Sequence, residues 1–317
     1  MPELPEVETT RRGIEPHLLE QRITSATVFD PRLRWRVRDD LASWLEGRLI
    51  TLVSRRSKYL LLHFENDERL LIHLGMSGSL RIVTADTPRK KHDHLEVSLT
   101  NGKILRFHDP RRFGALLTDH EQAPHIRLQN LGPEPLSDAF DAHYLSAQLH
   151  ARRQAIKPCL MNAAIVVGVG NIYANEALFL SGIHPATPAN TLDHNEITHL
   201  VTAIKNVLAR AIEQGGTTLR DFVREDGQPG YFKQTLNVYD RADQPCRICS
   251  TPIIKNVLAQ RATYFCPICQ PEPPATTPPG TKPPGTKPLG TKPLGTVNPI
   301  LKCPLFSKAE MSPSELA

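Results

Sequence analysis

The sequence predicts an α+β protein of several domains, in which an N-terminal helix and a β-sandwich precede a helical domain, a metal-binding β-hairpin and a disordered tail. Three observations lead to this prediction. Between residues 22 and 120 short apolar runs alternate with turns, after about residue 133 the apolar spacing becomes helical, and four cysteines form two close pairs. We place the domains at 1–132, 133–235, 236–270 and 271–317.

The first elements are a helix and a series of strands. Residues 1–18 are typical of a helix, with Val7, Ile14 and Leu18 as apolar positions among charged neighbours. The following strand-like runs are separated by turn residues, and the Asn-Gly pair at 101–102 indicates a tight hairpin. Several short strands at regular spacing favour a sandwich or a barrel-like domain.

Helical periodicity defines the second domain. Apolar residues recur with the 3.6-residue period of a helix over 197–212, and the Gly-Gly pair at 215–216 ends that helix. A glycine-rich turn at 167–170 precedes another helix, which opens at Asn171. The segment EDGQPGYF at 225–232 is predicted to be a loop.

The cysteine spacing indicates a metal site. Cys246 and Cys249 form one C-x2-C pair, Cys266 and Cys269 form the second, and sixteen residues separate the pairs. Such pairs suit two knuckles that carry four thiolates to one tetrahedral Zn²⁺, which leaves no open position for water. Two disulfides are the alternative, and a reducing compartment disfavours them.

Composition limits the location and the partner. The formal net charge is +5 and the pI is about 8.9, which is compatible with a polyanion. No apolar run approaches the ~18 residues of a membrane span, and the acidic N-terminus is unlike a secretory signal. We therefore expect a cytoplasmic protein with access to the bacterial nucleoid and no membrane partner.

The tail differs in kind from the rest of the chain. PPGTK and PLGTK units repeat with a period of five, and 12 of the 28 prolines lie in 271–317. Such a tract cannot bury a core, so we expect disorder there. Its lysines make it either a weak DNA tether or, as the plainer interpretation, an inert appendage.

The first nine residues, MPELPEVET, carry a chemical signal. Removal of Met1 would leave Pro2 with a secondary amine titrating near ~8, so that a useful fraction is nucleophilic at physiological pH. Attack of such an amine on a sugar C1′ gives an iminium, an electron sink for later eliminations. For Pro2 alone, helix initiation is the better explanation.

The longer stretch MPELPEVETTRRGIEPHL closely resembles the N-terminus of the formamidopyrimidine-DNA glycosylases, and the resemblance recurs to about residue 270. It implies a monomeric glycosylase and AP lyase that acts on double-stranded DNA containing 8-oxoguanine or formamidopyrimidines. In it Pro2 attacks C1′, Glu3 shuttles protons and Glu6 orients Pro2. The segments RRSKYLLLHF and AQRATYF further imply that Lys58 and Arg261 contact phosphate and assist the eliminations.

Other motifs imply contacts with DNA. Met76 in HLGMSGSL and Phe113 in DPRRFG lie in glycine-containing turns, where apolar side chains suit wedges that replace an everted nucleotide. The resemblance makes Arg111 the reader of the estranged base and His92 of KHDH a backbone contact. The alternatives are buried turn residues for the wedges and a solvated basic loop for KHDH.

ARRQAIKP and VVGVGNIYANEALF resemble the family's helix–two-turns–helix element. We interpret Arg152, Arg153 and Lys157 as a basic patch at a helix start, and Asn171 as a phosphate ligand at the next helix N-terminus. The resemblance places Glu176 near the base pocket, whereas a helix-surface carboxylate is the plain alternative.

Departures from the family pattern concern the hairpin and the helical domain. Ser250 and Asp240 stand where relatives carry glycine, and Asn162 stands where they often carry aspartate. Ser250 is expected to strain a knuckle that requires positive φ, and Asp240 to add negative charge near the DNA path.

Two other functions stay open at this point. One is an endonuclease VIII-like pyrimidine glycosylase, against which Leu4, Arg111 and Phe113 argue. The other is a non-catalytic zinc protein that binds lesions, against which the intact Pro2, Glu3 and Lys58 argue.

Overall fold

The computed structural model describes residues 2–216 and 236–273, with one hydrophobic core in each of three successive parts of the chain. The loop predicted at 225–232, most of the repeat tail and Met1 lie outside these residues. Within the described ranges, no helix is both long enough and apolar enough to span a bilayer.

The N-terminal part is a sandwich of two four-stranded antiparallel sheets, as the alternating runs predict. Its strands are β1 (Ile23–Val28), β2 (Ile50–Arg56), β3 (Tyr59–Phe64), β4 (Glu68–His73), β5 (Ser79–Val83), β6 (Asp93–Leu99), β7 (Ile104–His108) and β8 (Ala115–His120). One sheet has the order β1-β6-β7-β5 and the other β2-β3-β4-β8. The predicted Asn-Gly hairpin joins β6 to β7, with Gly102 at φ +75°.

Helix α1 (Leu4–Leu18) packs on the sandwich and begins two residues after Pro2, with Glu3 at its N-cap. Val7, Ile14 and Leu18 are buried in the sandwich core, as their spacing predicts. A short helix, α2 (Leu41–Leu45), covers the same core. The start of α1 therefore has a fixed position relative to the sheets.

The second part is helical. It comprises α3 (Ile126–Gln129), α4 (Ala142–Leu149), α5 (Ile156–Leu160), α6 (Asn171–Leu180) and α7 (His194–Glu213). A capping box of Asp193 and Glu196 starts α7, and Gly215 and Gly216 follow its end with φ of +76° and +79°. Both the helix and its glycine stop are confirmed.

A two-stranded ribbon forms the third part, with β9 (Ile254–Leu258) paired antiparallel to β10 (Arg261–Phe265). Ala259 and Gln260 connect the strands with φ of +47° and +60°. Positive φ at both central residues is the signature of a type I′ turn, whose twist suits a hairpin. The turn places Arg261 at the ribbon tip.

Candidate active site

Pro2 is buried directly before Glu3, the residue that joins the start of helix α1 to the start of helix α6. Beside it, Glu3 is 2% exposed, and its carboxylate accepts the N–H groups of Gly170 at 2.8 Å, Ile172 at 2.9 Å and Tyr173 at 3.4 Å. The helix N-terminus that the sequence suggested for a phosphate therefore holds a carboxylate of the same chain.

The turn before α6 requires glycine at both positions because the start of α1 packs directly against it. A Cβ at Gly170 would lie 2.3 Å from the carboxyl carbon of Glu3, and one at Gly168 would lie 2.5 Å from Leu4. Gly168 also has φ +79°, and its carbonyl accepts the N–H of Leu4 at 3.2 Å. Any side chain at these glycines would displace the residues next to Pro2.

Glu6 holds the backbone beside Pro2. Its Oε2 accepts the N–H of Glu3 at 2.8 Å, and its Oε1 accepts the hydroxyl of Tyr173 at 2.6 Å. All these groups are buried, so the contacts link α6 to the backbone next to Pro2. They are the contacts expected of a residue that orients Pro2.

Lys58 shares this charged interior. Its ammonium interacts electrostatically with the carboxylates of Glu3 and Glu6 and is repelled by Arg261. Burial lowers the pKa of Lys58, while the two carboxylates oppose that shift. Burial raises the pKa of Glu3, with Lys58 opposing and Glu6 adding to the rise. The two pKa values therefore move towards each other, which lowers the free-energy cost of proton exchange between the two groups.

The β2–β3 turn that carries Lys58 is held by Glu134, a residue of the connection to the helical domain. Glu134 Oε1 accepts the N–H of Ser57 at 2.7 Å and Nη1 of Arg56 at 3.0 Å, and Oε2 lies 2.7 Å from Arg55. Ser57 has φ +57°, a conformation that L-residues adopt only when held. Glu134 therefore fixes the residue directly before Lys58.

Glu134→Ala is expected to slow strand cleavage at an abasic site about tenfold, because Lys58 loses its fixed approach. Single-turnover cleavage rates and the duplex Kd, measured together, separate this effect from weaker binding. Glu134→Gln keeps an acceptor for Ser57 and should recover most of the rate. Glu65→Ala, which removes an exposed glutamate, serves as the control, and an unchanged rate in Glu134→Ala would contradict the role.

A cavity of about 620 Å³ lies beside this interior. Lys58 influences its lining residues His73 and Arg261 electrostatically. Phe113 is 45% exposed and Met76 is partly exposed, so the interpretation of these two as buried turn residues is wrong. The lining comprises Arg32, Leu33, Arg34, His73, Gly75, Met76, Arg111, Arg112, Phe113 and Arg261.

Asp109 organises both turns of the cavity wall, a role that the sequence analysis missed. Its buried carboxylate accepts the hydroxyl of Ser77 at 2.8 Å and the N–H of Gly114 at 2.7 Å. The first contact holds the turn of Met76 and the second holds the turn of Phe113. The aspartate that opens DPRRFG was the available signal.

His73 is a second residue that the sequence analysis missed. Burial, Lys58 and two nearby arginines lower the pKa of His73 to about 4, so its ring is neutral at physiological pH. Its Nδ1 accepts the N–H of Gly75 at 3.0 Å, which assigns the proton to Nε2. His73 thus supplies one neutral donor in the cavity wall.

Helices α5 and α6 hold strand β10 and thereby set the position of Arg261. Lys157 Nζ donates to the carbonyl of Ala262 at 2.9 Å and to Thr263 Oγ1 at 2.8 Å. Asn171 Nδ2 donates to the same Ala262 carbonyl at 2.9 Å. The residue after Arg261 is therefore fixed by two side chains of the helical part.

The predicted basic patch is wrong for Lys157. Its side chain is 1% exposed, and burial lowers its pKa to about 8. Arg152 and Arg153 remain at the surface, with Arg152 Nε bonded to the carbonyl of Gln148 at 2.8 Å. The Lys157 ammonium therefore connects helix α5 to strand β10 of the ribbon.

Two other predicted residues lie outside the cavity lining. His92 is partly exposed, and its carbonyl accepts the N–H of Asp109 at 2.9 Å, which places it beside the DPRRFG turn. Glu176 is fully buried, so the helix-surface interpretation is wrong. Its carboxylate accepts the N–H groups of Asn237, Val238 and Tyr239 at 2.8–2.9 Å and fastens the hairpin entry to α6.

The four predicted cysteines converge, with all Sγ atoms within 4.8 Å of one another. The Cys246–Cys269, Cys249–Cys269 and Cys249–Cys266 Sγ distances are 3.9, 3.6 and 3.4 Å. A tetrahedral zinc with 2.3 Å bonds requires about 3.8 Å, so the cluster fits one structural Zn²⁺. Ser250 has φ +64°, which confirms the positive φ expected of this knuckle.

Three family descriptions match the chain in order. They are the formamidopyrimidine-DNA glycosylase N-terminal domain over residues 1–116, the H2TH domain of the same enzymes over 131–223, and the zinc finger found in FPG and IleRS over 243–271. Their order agrees with the sandwich, the helical part and the ribbon.

Individual relatives agree with these matches. The formamidopyrimidine-DNA glycosylases of Cronobacter sakazakii and Thioalkalivibrio sulfidiphilus are each 56% identical over 270 and 271 residues, 85% of this chain and 100% of each relative. A Lactococcus lactis FPG mutant, in complex with a Fapy-dG containing DNA, has 36% identity and a TM-score of 0.80, covering 86% of this chain and 100% of its own.

MutM (FPG) from Thermus thermophilus gives a further structural match, with 40% identity, a TM-score of 0.76 and coverage of 86% of this chain and 100% of its own. The matches cover the sandwich, the helical part and the cysteine ribbon together. Pro2, Glu3 and Lys58 all lie within this shared region. This chain belongs to the formamidopyrimidine-DNA glycosylase family.

Proposed function

We propose that this protein excises 8-oxoguanine and formamidopyrimidines from double-stranded DNA and then cleaves the abasic strand. Its family consists of bifunctional glycosylases and AP lyases of base-excision repair. Solved relatives hold Fapy-dG or abasic-site DNA, which supports a lesion duplex as the partner. The observation that carries the proposal is the arrangement of buried Pro2 and Glu3 with partly exposed Lys58, whose ammonium interacts with Glu3 beside a cavity.

Pro2 is the nucleophile once Met1 has been removed. Its nitrogen attacks C1′ and the bond from C1′ to the damaged base breaks. The C1′–O4′ bond of the sugar ring then breaks, and the resulting iminium links the opened sugar to the chain. Glu3 accepts the amine proton and delivers a proton to the ring oxygen or to the departing base. The raised pKa of Glu3 suits both transfers.

The iminium then acidifies the C2′ proton, and loss of that proton expels the 3′ phosphate. A second elimination expels the 5′ phosphate and leaves a one-nucleotide gap. Lys58 and Arg261 stabilise the departing phosphates electrostatically, because the two cations lie close enough to act on each other and therefore on one anion. Lys58 also exchanges protons with Glu3 during these steps.

The remaining site residues hold the duplex. Met76 and Phe113 project from adjacent turns at the cavity and fill the stack after eversion, and Arg111 reads the estranged cytosine. His92 and Arg152 contact backbone phosphates, and both are partly exposed. Asn171 contributes a further phosphate contact from the start of α6. Its side chain also donates to the carbonyl of Ala262 in the ribbon.

We propose domains at 1–132, 133–235 and 236–270, since the family matches begin and end near these boundaries. One chain supplies the nucleophile, the cavity and the cysteine cluster, which supports action as a monomer. A chromosomal substrate places the protein in the cytoplasm, with the nucleoid.

Borohydride trapping tests the proposal. Purified protein is mixed with an 8-oxoguanine:cytosine duplex, and an undamaged duplex serves as the control. A lesion-dependent adduct that maps to Pro2 is expected, and intact mass of the same sample shows whether Met1 is absent. Lesion binding without an adduct by protein that lacks Met1 would instead favour a non-catalytic lesion-binding protein.

Glu3→Gln is expected to slow base excision by about 10²–10⁴-fold, because the proton shuttle is lost. Cleavage at a preformed abasic site should fall much less, since no base has to leave. Single-turnover assays on the two duplexes measure the difference, with Glu15→Gln as a partly exposed control. Equal losses on both substrates would show that Glu3 only supports the fold.

A further inference from the structure

Two arginines stack on one indole ring beside the cavity. The guanidinium carbon of Arg34 lies 4.8 Å from the centroid of the Trp35 ring, and that of Arg127 lies 3.6 Å from it. Arg34 also lines the cavity, whereas Arg127 reaches the ring from helix α3. The stack therefore joins the cavity to the surface of the connection between the domains.

The loop that carries Trp35 is closed on itself and tied to the cavity wall. Arg32 and Arg36 pair across it, and Val37 donates its N–H to the carbonyl of Pro31 at 2.9 Å. The N–H of Arg34 donates to the carbonyl of Gly114 at 3.1 Å, directly after the Phe113 turn. The indole is thus a platform with a fixed position.

Charge pairing separates these two arginines from their neighbours. In the part of the chain that the structure describes, neither Arg34 nor Arg127 forms an ion pair with a carboxylate. The other arginines of the same segment have partners within 2.9 Å: Arg32 with Asp30, Arg36 with Asp39, and Arg38 with Asp40. Among the described arginines of this loop, Arg34 is therefore the one without a carboxylate partner, and it shares the ring with Arg127, which has none either.

Two guanidiniums that share one ring raise the positive potential around it, which favours a bound anion within reach of both. Both also lower the pKa of His73, so their field extends into the cavity. A stacked guanidinium keeps its in-plane N–H donors, and the planar fork matches two oxygens of a phosphate. A phosphodiester would satisfy donors and charge together.

We propose that Arg34 and Arg127, held on Trp35, form a subsite for one backbone phosphate of bound DNA. This inference rests on the proposed function, because it requires DNA as the partner. The subsite adds a DNA contact by residues that are not among the DNA-binding residues proposed above. The subsite carries no sequence information and contributes equally to lesion-containing and undamaged duplexes.

The test measures Kd by fluorescence anisotropy against salt concentration. The full-length wild type and Arg127→Gln are titrated with a duplex that carries a tetrahydrofuran abasic analogue and with an undamaged duplex. Loss of one phosphate contact is expected to lower the slope of log K against log salt by about 0.9, and to weaken binding about fivefold at low salt on both duplexes. Arg127→Lys keeps the charge and should keep most of the slope.

Arg36→Gln is the matched control, because Arg36 lies in the same loop and pairs with Asp39. Its slope should equal that of the wild type. An unchanged slope in Arg127→Gln, or an equal decrease in Arg36→Gln, would overturn the subsite. A lower unfolding midpoint in Arg127→Gln, with an unchanged salt slope, would show that the stack stabilises the fold and does not bind phosphate. A wild type that binds neither duplex would overturn the proposed function as well, so the two failures are distinct.

Discussion

Pro2→Gly is expected to reduce both the trapped adduct and strand cleavage on an 8-oxoguanine duplex by about a hundredfold or more. Glycine keeps an N-terminal amine but loses the ring that fixes the nitrogen direction above Glu3. It also gives an imine that must gain a proton, whereas the secondary amine of Pro2 gives a cationic iminium directly. Gel quantification of adduct and product on the same duplex measures both losses.

Two matched variants test whether the Pro2 nitrogen is responsible for this loss. One extra glycine between Met1 and Pro2 converts the Pro2 nitrogen into an amide, so trapping should disappear while lesion binding persists. Pro5→Ala changes the other proline of the same segment, a buried residue of α1, and should leave trapping intact. Pro2→Gly with wild-type trapping and cleavage would remove Pro2 from the mechanism.

Cys249→Ser is expected to release the zinc and to weaken lesion binding about a hundredfold, because the ribbon folds around its metal. Structural zinc sites of this type supply about 10 kcal/mol of folding free energy. Without the ribbon, Arg261 loses its position and Lys157 loses both of its hairpin partners. Metal content by mass spectrometry and Kd for an abasic-analogue duplex are the measurements.

Cys159→Ser is the control for the zinc variant. Cys159 is buried in the helical core, outside the four-sulfur cluster, with Gln154 donating to its Sγ at 3.1 Å. That variant should retain one zinc ion per chain and wild-type binding. A zinc-free Cys249→Ser protein that binds the lesion duplex with wild-type affinity would show that the ribbon has no part in recognition.

Local patterns were sufficient for much of the fold. The β6–β7 hairpin depends on an Asn-Gly pair, α7 on its apolar period and glycine stop, and the metal site on C-x2-C spacing. Each of these signals lies within about 30 residues of sequence, and each element satisfies its backbone hydrogen bonds locally. Such elements are predictable because neighbouring residues determine them.

The incorrect predictions concern residues whose partners lie far away in the sequence. Lys157 was read as a surface cation because its neighbours are basic, yet its partners lie more than 100 residues later, in β10. For Glu176 the alternative of a helix-surface carboxylate is wrong, because its backbone partners at 237–239 lie more than 60 residues later. Buried polar groups require partners, but a single sequence does not say which distant backbone provides them.

The contact between Glu3 and the start of α6 joins residues 167 positions apart. During synthesis the N-terminus leaves the ribosome first, and at bacterial rates about ten to thirty seconds pass before its partner exists. Until then the carboxylate beside Pro2 lacks its three backbone donors. A chain truncated before Gly170 therefore has Pro2 without these contacts, and we expect such unfinished chains to be inactive on DNA.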